Sequence, residues 1–132
     1  MSAAASTGIS PAFSAVSAVL ADYFEGLYRS DTALLRRAFH PRAVYACATE
    51  GPLLRLDMDE YFPIVDKRPS PASRGDPRAD RILSIDFIGP VTAVARVECA
   101  ILPKRFSDVL TLVFVDGRWQ IISKVFHFEL SA

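Results

Sequence analysis

The dipeptide Asp116–Gly117 stands between two long apolar runs, Phe106–Val115 and Arg118–Phe128. Asp-Gly readily takes the positive φ angles of a tight hairpin turn, so the two runs must fold back on one another as antiparallel strands. Two more runs rich in Val, Ile and Ala precede them, Arg81–Ile88 and Val91–Leu102. Gly89-Pro90 and Pro103-Lys104-Arg105 separate these runs and read as turns. The C-terminal part of the chain is therefore a four-strand meander.

The N-terminal part has a different period. Residues 1–11 are rich in Ala and Ser and read as a flexible arm. Pro11 suits the first turn of a helix. From Phe13 to Tyr28, Val16, Val19, Leu20, Tyr23, Phe24 and Leu27 recur at spacings of three and four, the stripe of an amphipathic helix. Ser30 and Asp31 can cap a second short helix, and His40-Pro41 ends it. Ala43–Ala48 and Leu53–Leu56 are short strands about Gly51-Pro52. Asp57 and Glu60 have capping-box spacing and open a third helix carrying Tyr61, Phe62 and Val65. Residues 67–80, with three prolines and a glycine, read as a mobile loop or a lid. Helices first and a meander after make an α+β domain over residues 12–132.

Composition excludes several functions. Fifteen basic residues balance fifteen acidic ones, so nothing attracts a nucleic acid backbone. A hydrophobic content of 51% is too high for a disordered chain. Cys47 and Cys99 form no CxxC pair and read as small buried hydrophobes. No basic-then-apolar leader and no membrane-spanning run is present, which gives a cytoplasmic expectation with no membrane partner. Two histidines and scattered acids make no metal site, and no glycine-rich phosphate cradle or nucleophile elbow occurs. No cofactor is expected.

Turn lengths assign the sheet faces. Two-residue turns at Asp116-Gly117 and Gly89-Pro90, with a three-residue loop at 103–105, place Leu83, Ile85, Phe87, Val94, Leu110, Leu112, Phe114, Trp119, Ile121 and Val125 on the face that receives the helices. The same register puts Arg96, Glu98, Asp108, Ser123 and His127 there. The opposite face carries Ala93, Ala95, Val97, Cys99, Val109, Val113, Ile122 and Phe126. An apolar outer face needs a cover, and no helix remains to supply it, so a homodimer through that face is expected.

The segments Leu35–Ala43, Ser84–Gly89, Asp108–Leu112 and Asp116–Phe126 resemble those of the nuclear transport factor 2-like superfamily, in particular its lumazine-binding and SnoaL-like branches. Arg42 departs from the acid often found after the Phe-His-Pro turn. The resemblance implies a cone: a curved antiparallel sheet wrapped around the N-terminal helix, three helices in all, and a pocket between. It implies functions from cofactor-free isomerase, dehydratase and cyclase chemistry to ligand binding without catalysis.

Asp108 and His127 are the candidate catalytic pair, because the register makes them diagonal neighbours and a carboxylate can orient and activate an imidazole. Arg96 and Glu98, with Asp108, resemble the acid–arginine–acid set of limonene epoxide hydrolase, an alternative hydrolytic reading. Tyr23, Tyr61, Phe87, Leu112, Phe114, Trp119 and Ser123 complete the expected lining of a pocket for an apolar or aromatic small molecule with a polar end.

Overall fold

The computed structural model describes residues 10–131, so the N-terminal arm falls largely outside the described residues. Helix α1 (Pro11–Arg29) starts where Ser10 Oγ accepts the Phe13 N–H at 3.1 Å. It stops at Ser30, whose left-handed backbone returns its N–H to the last turn. Helix α2 (Thr32–Ala38) is capped by the Asp31 carboxylate. Strands β1 (Phe39–Cys47) and β2 (Leu54–Asp57) lead into α3 (Met58–Lys67), where Asp57 and Glu60 form both bonds of a capping box. A 3₁₀ turn (Ala72–Arg74) precedes β3 (Arg81–Phe87), β4 (Thr92–Ile101), β5 (Lys104–Val115) and β6 (Arg118–Leu130).

The six strands form one sheet in the order β2-β1-β6-β5-β4-β3. The last four strands make the expected meander. β1 lies parallel to β6, so the sheet is mixed rather than antiparallel throughout. α1 lays Val16, Leu20, Tyr23 and Leu27 against the sheet's inner face, where they join Leu35, Phe39, Leu110, Leu112 and Ile121 in the core.

Three register details reverse part of the expected face assignment. The β4–β5 turn uses two residues, Leu102-Pro103, so Val97 opposes Asp108 and Arg96 opposes Val109. The expected loop was three residues long and ended later. The resulting offset is odd, and an odd offset turns every side chain of β4 to the other face. Ala93, Ala95, Val97 and Cys99 therefore point inward and are buried, while Arg96 and Glu98 point outward. In the β5–β6 hairpin, pairing follows expectation from Val115–Arg118 to Leu112–Ile121. A bulge at Ile122 then shifts the ladder, so Leu110 faces Lys124 and Ser107 faces His127. Lys124, Phe126 and Phe128 consequently turn inward, and Ser123, Val125 and His127 turn outward. Between β3 and β4 the turn is also longer than two residues, and a further bulge lies between Ile82 and Ser84.

The segment after α3 is not a free loop. Tyr28 donates its hydroxyl to the Asp76 carbonyl at 2.6 Å, Arg78 pairs with Glu25 of α1 at 2.8 Å, and Pro71 is fully buried. It is a strap fixed to α1.

Candidate functional site

Three elements bring one ionisable cluster into the interior. Tyr23 projects from the buried stripe of α1, Asp108 from β5, and Lys124 from β6 beyond the bulge. Tyr23 donates its hydroxyl to Asp108 Oδ2 at 2.5 Å. Lys124 Nζ stands 3.8 Å from the same oxygen. Asp108 and Lys124 are each only 2% exposed, which makes this a buried ion pair rather than a surface contact. Asp108 Oδ1 is buried with no hydrogen-bond partner among the described residues.

Aromatic rings enclose the ammonium. The ring centroids of Phe126, Tyr23, Phe106 and Tyr45 lie 5.0 to 5.4 Å from Nζ. These distances are within the range of cation–π attraction. Tyr45 stacks on Tyr61 at 4.4 Å and is the most exposed member of the cage. Tyr23, Tyr61, Phe39 and Leu110 fill the surrounding space.

Electrostatics fix the protonation states. Burial, and then the charge of Asp108, push the Tyr23 hydroxyl well above its ordinary value, so it remains a neutral donor. Burial pulls the Lys124 ammonium down, but the Asp108 carboxylate and the surrounding polar groups outweigh it and raise the group overall. Lys124 is a fixed cation. Cys99, whose Sγ lies 4.0 Å from Asp108 Oδ2, is pushed up to about 12 by burial and by that carboxylate, so it is an inert thiol.

Of the residues singled out from sequence, Tyr23, Asp108, Tyr61, Leu112 and Trp119 lie on the inner side. Phe87 and Phe114 pack on Trp119 at the opposite end of the sheet and are partly exposed. His127 does not meet Asp108. It points outward, 2.9 Å from Thr49 Oγ1, with Glu129 beside it. Ser123 is also outward and bonds Thr111. Arg96 and Glu98 share an outer depression of about 330 Å³ with Leu83, Ser107, Val109, Val125 and His127. Glu98 pairs with Arg81 at 3.5 Å. The acid–arginine–acid arrangement with Asp108 is therefore not formed, because the sheet separates its members.

Lys124 escaped the sequence reading, although a signal for it exists. The aromatic residues of β6 change parity, from Trp119 to Phe126 and Phe128. Such a switch requires an extra residue between the two sets, and it carries Lys124 inward.

A family model described as "Putative lumazine-binding" matches residues 11–127. The chain belongs to this family. A curated relative, Aldolase FrzH of Cladobotryum sp, is 26% identical over 117 residues, covering 87% of this chain and 90% of that one. An NTF2-like protein of unknown function from Shewanella baltica superposes with a TM-score of 0.81 at 26% identity, covering 94% of this chain and 100% of the other. A ketosteroid isomerase-like protein from Erwinia carotovora atroseptica has a TM-score of 0.70 over 91% of this chain and 98% of its own. At 13% identity it shows the shared fold alone. No helix among the described residues is long and apolar enough to cross a membrane.

Proposed function

We propose that this protein takes a carbonyl-bearing small molecule into the cone interior and moves a proton at the carbon next to that carbonyl, without a cofactor. The observation that carries this reading is the buried Tyr23–Asp108–Lys124 cluster. Tyr45 is the most exposed member of the cage and so the side on which the cluster lies nearest to solvent. Asp108 Oδ1 has no partner and accepts the proton as general base. The C–H electron pair moves onto the carbonyl oxygen, and the resulting enolate faces the Lys124 ammonium. Tyr23 holds Oδ2 and fixes the carboxylate's orientation. The enolate then recovers a proton at carbon, as in isomerisation, or attacks a second carbonyl, as in an aldol reaction. The name of the Cladobotryum relative favours the latter.

A raised Lys124 is unsuited to imine formation, which needs a neutral amine. Borohydride treatment with a ketone probe should therefore trap no adduct. Solvent deuterium exchange into a small aryl ketone tests the base. Asp108→Asn should slow exchange by about a hundredfold or more. Exchange at the wild-type rate in a folded variant would remove Asp108 from the chemistry.

The filled interior favours a rival reading, a non-catalytic dimerisation module. It predicts that wild type and Asp108→Asn exchange equally slowly. We further propose that the outer face, where Leu83, Val109 and Val125 are 39%, 43% and 51% exposed, binds a second copy of the chain. A monomer in sedimentation equilibrium at micromolar concentration would refute the dimer.

A further inference from the structure

We propose that the outer face of the sheet carries a second ligand site, at His40 and Arg42, for a monocarboxylic acid with an aliphatic body. The site is independent of the chemistry proposed for the interior, because the sheet lies between it and the inward Asp108–Lys124 pair.

Its origin is local. Pro41 has no N–H to give to a ladder, so β1 cannot run on beside β6 without a break. Phe39 pairs with Ile121 and Val44 with Ser123, which leaves His40, Pro41, Arg42 and Ala43 opposite Ile122 alone. Ile122 is also the extra residue that breaks the β5–β6 ladder. The two irregularities coincide, and bulges of this kind re-aim side chains. Ala43 turns into the core and is buried. His40 and Arg42 border a depression of about 510 Å³, whose walls include Val91, Val113, Val115 and Ile122. Val113 and Val115 share the outer face of β5 with Val109.

The chemistry of these walls selects the ligand. Arg42 supplies a guanidinium, and no carboxylate lines the depression. Among the described residues no acid lies within ion-pair distance of Arg42. His40 adds a second donor. Its Nδ1 accepts the Arg42 backbone N–H at 3.0 Å, so the proton of the neutral ring sits on Nε2. A guanidinium and a ring N–H with no acid beside them are complementary to an anion. No glycine lines the depression to shape a backbone nest for phosphate, and a carboxylate is the anion that one planar fork holds. Beside the donors the surface is aliphatic. Val91 and Val115 are 47% and 37% exposed, and an apolar chain laid on them withdraws them from water.

The test titrates octanoate and octanamide, a near-isosteric pair, into the intact chain and follows the backbone amide signals by NMR. The signals of Arg42, Val113, Val115 and Ile122 should move, and those of Asp108 and Lys124 should not. Octanoate should bind about fivefold more tightly than octanamide, the modest preference of an ion pair that stays in contact with water. Arg42→Gln should bring the two ligands to equal affinity. Val115→Asp places a carboxylate on the apolar wall at a partly exposed position, and should weaken octanoate more than octanamide. Circular dichroism would verify that each variant is folded. Equal affinities in the wild type, shifts confined to the interior, or no octanoate shift at millimolar concentration would each overturn the site. A second copy of the chain seated in the depression would show as a wild-type dimer that Arg42→Gln dissociates, without octanoate shifts, and would also overturn it.

Discussion

The Asp108–Lys124 pair makes a quantitative prediction through a double-mutant cycle. At 3.8 Å and an effective dielectric of about 20, the attraction between the two charges is about 4 kcal/mol. Each ion lost hydration on folding, so the pair is not worth that much in total. The coupling between the partners is the testable quantity. Asp108→Asn leaves the Lys124 ammonium among four aromatic rings with no counter-charge. Lys124→Met leaves the carboxylate with two neutral donors, the Tyr23 hydroxyl and the Cys99 thiol, and no counter-charge. Each single change should destabilise by about 3–5 kcal/mol, the usual cost of stranding a buried charge. The double variant strands neither charge, and the Met thioether suits the aromatic cage. It should lie within about 1–2 kcal/mol of the wild type, giving a coupling energy of several kcal/mol. The assay is urea unfolding of all four proteins with unchanged slopes. Losses that add to within about 0.5 kcal/mol would show that the two groups do not sense one another, and the reasoning would fail.

Other outcomes follow from the same geometry. Gly26→Ala should destabilise by about 1–2 kcal/mol despite alanine's better helix propensity. Its methyl would lie 2.7 Å from the Cδ2 of Leu35, which is fully buried and has no room to yield. Leu35→Ala in the same chain should relieve the clash, so the two losses should be less than additive in thermal unfolding. Cys99 makes stability fall at alkaline pH. Its folded value, pushed up to about 12, exceeds the ordinary 9.0. The stabilising contribution is complete below about pH 8 and declines as pH rises, because the unfolded chain releases the proton first. The loss should reach roughly 1.4 kcal/mol at pH 10. Cys99→Ala should remove that part of the slope in denaturant titrations, and an unchanged slope would contradict the assignment. Tyr23→Phe should cost about 1.5–3 kcal/mol in urea unfolding, since it withdraws a hydrogen bond from a charged, buried carboxylate.

Much of the architecture was legible in the residues because each signal is local. The stripe from Val16 to Leu27 has no other use than a helix face, and the Asp57/Glu60 box declares the start of α3. The Asp116–Gly117 turn set the hairpin register correctly for its first four pairs. Two of the three members of the candidate cluster were legible too: Tyr23 and Asp108 were both singled out. Their true companion was not, for a reason that can be stated residue by residue. His127 and Lys124 differ by three positions on one strand, an odd number, so they point to opposite faces. Which of them meets Asp108 depends on the single extra residue at Ile122.

The sequence by itself determined most of the element types and their order. Periodicity and turn chemistry act over a few residues and need no distant partner. Tertiary structure alone decided which face each strand of the meander shows to α1. A strand with valine or alanine on both sides, such as β4, is nearly indifferent to a one-residue slip until neighbours and turn lengths fix it. It also decided the parallel docking of β1 on β6, which joins segments remote in sequence. The consequence is chemical. The polar side chains divide into an outward Arg96–Glu98–His127 surface and an inward Asp108–Lys124 pair, and the sheet between them assigns each to water or to the interior.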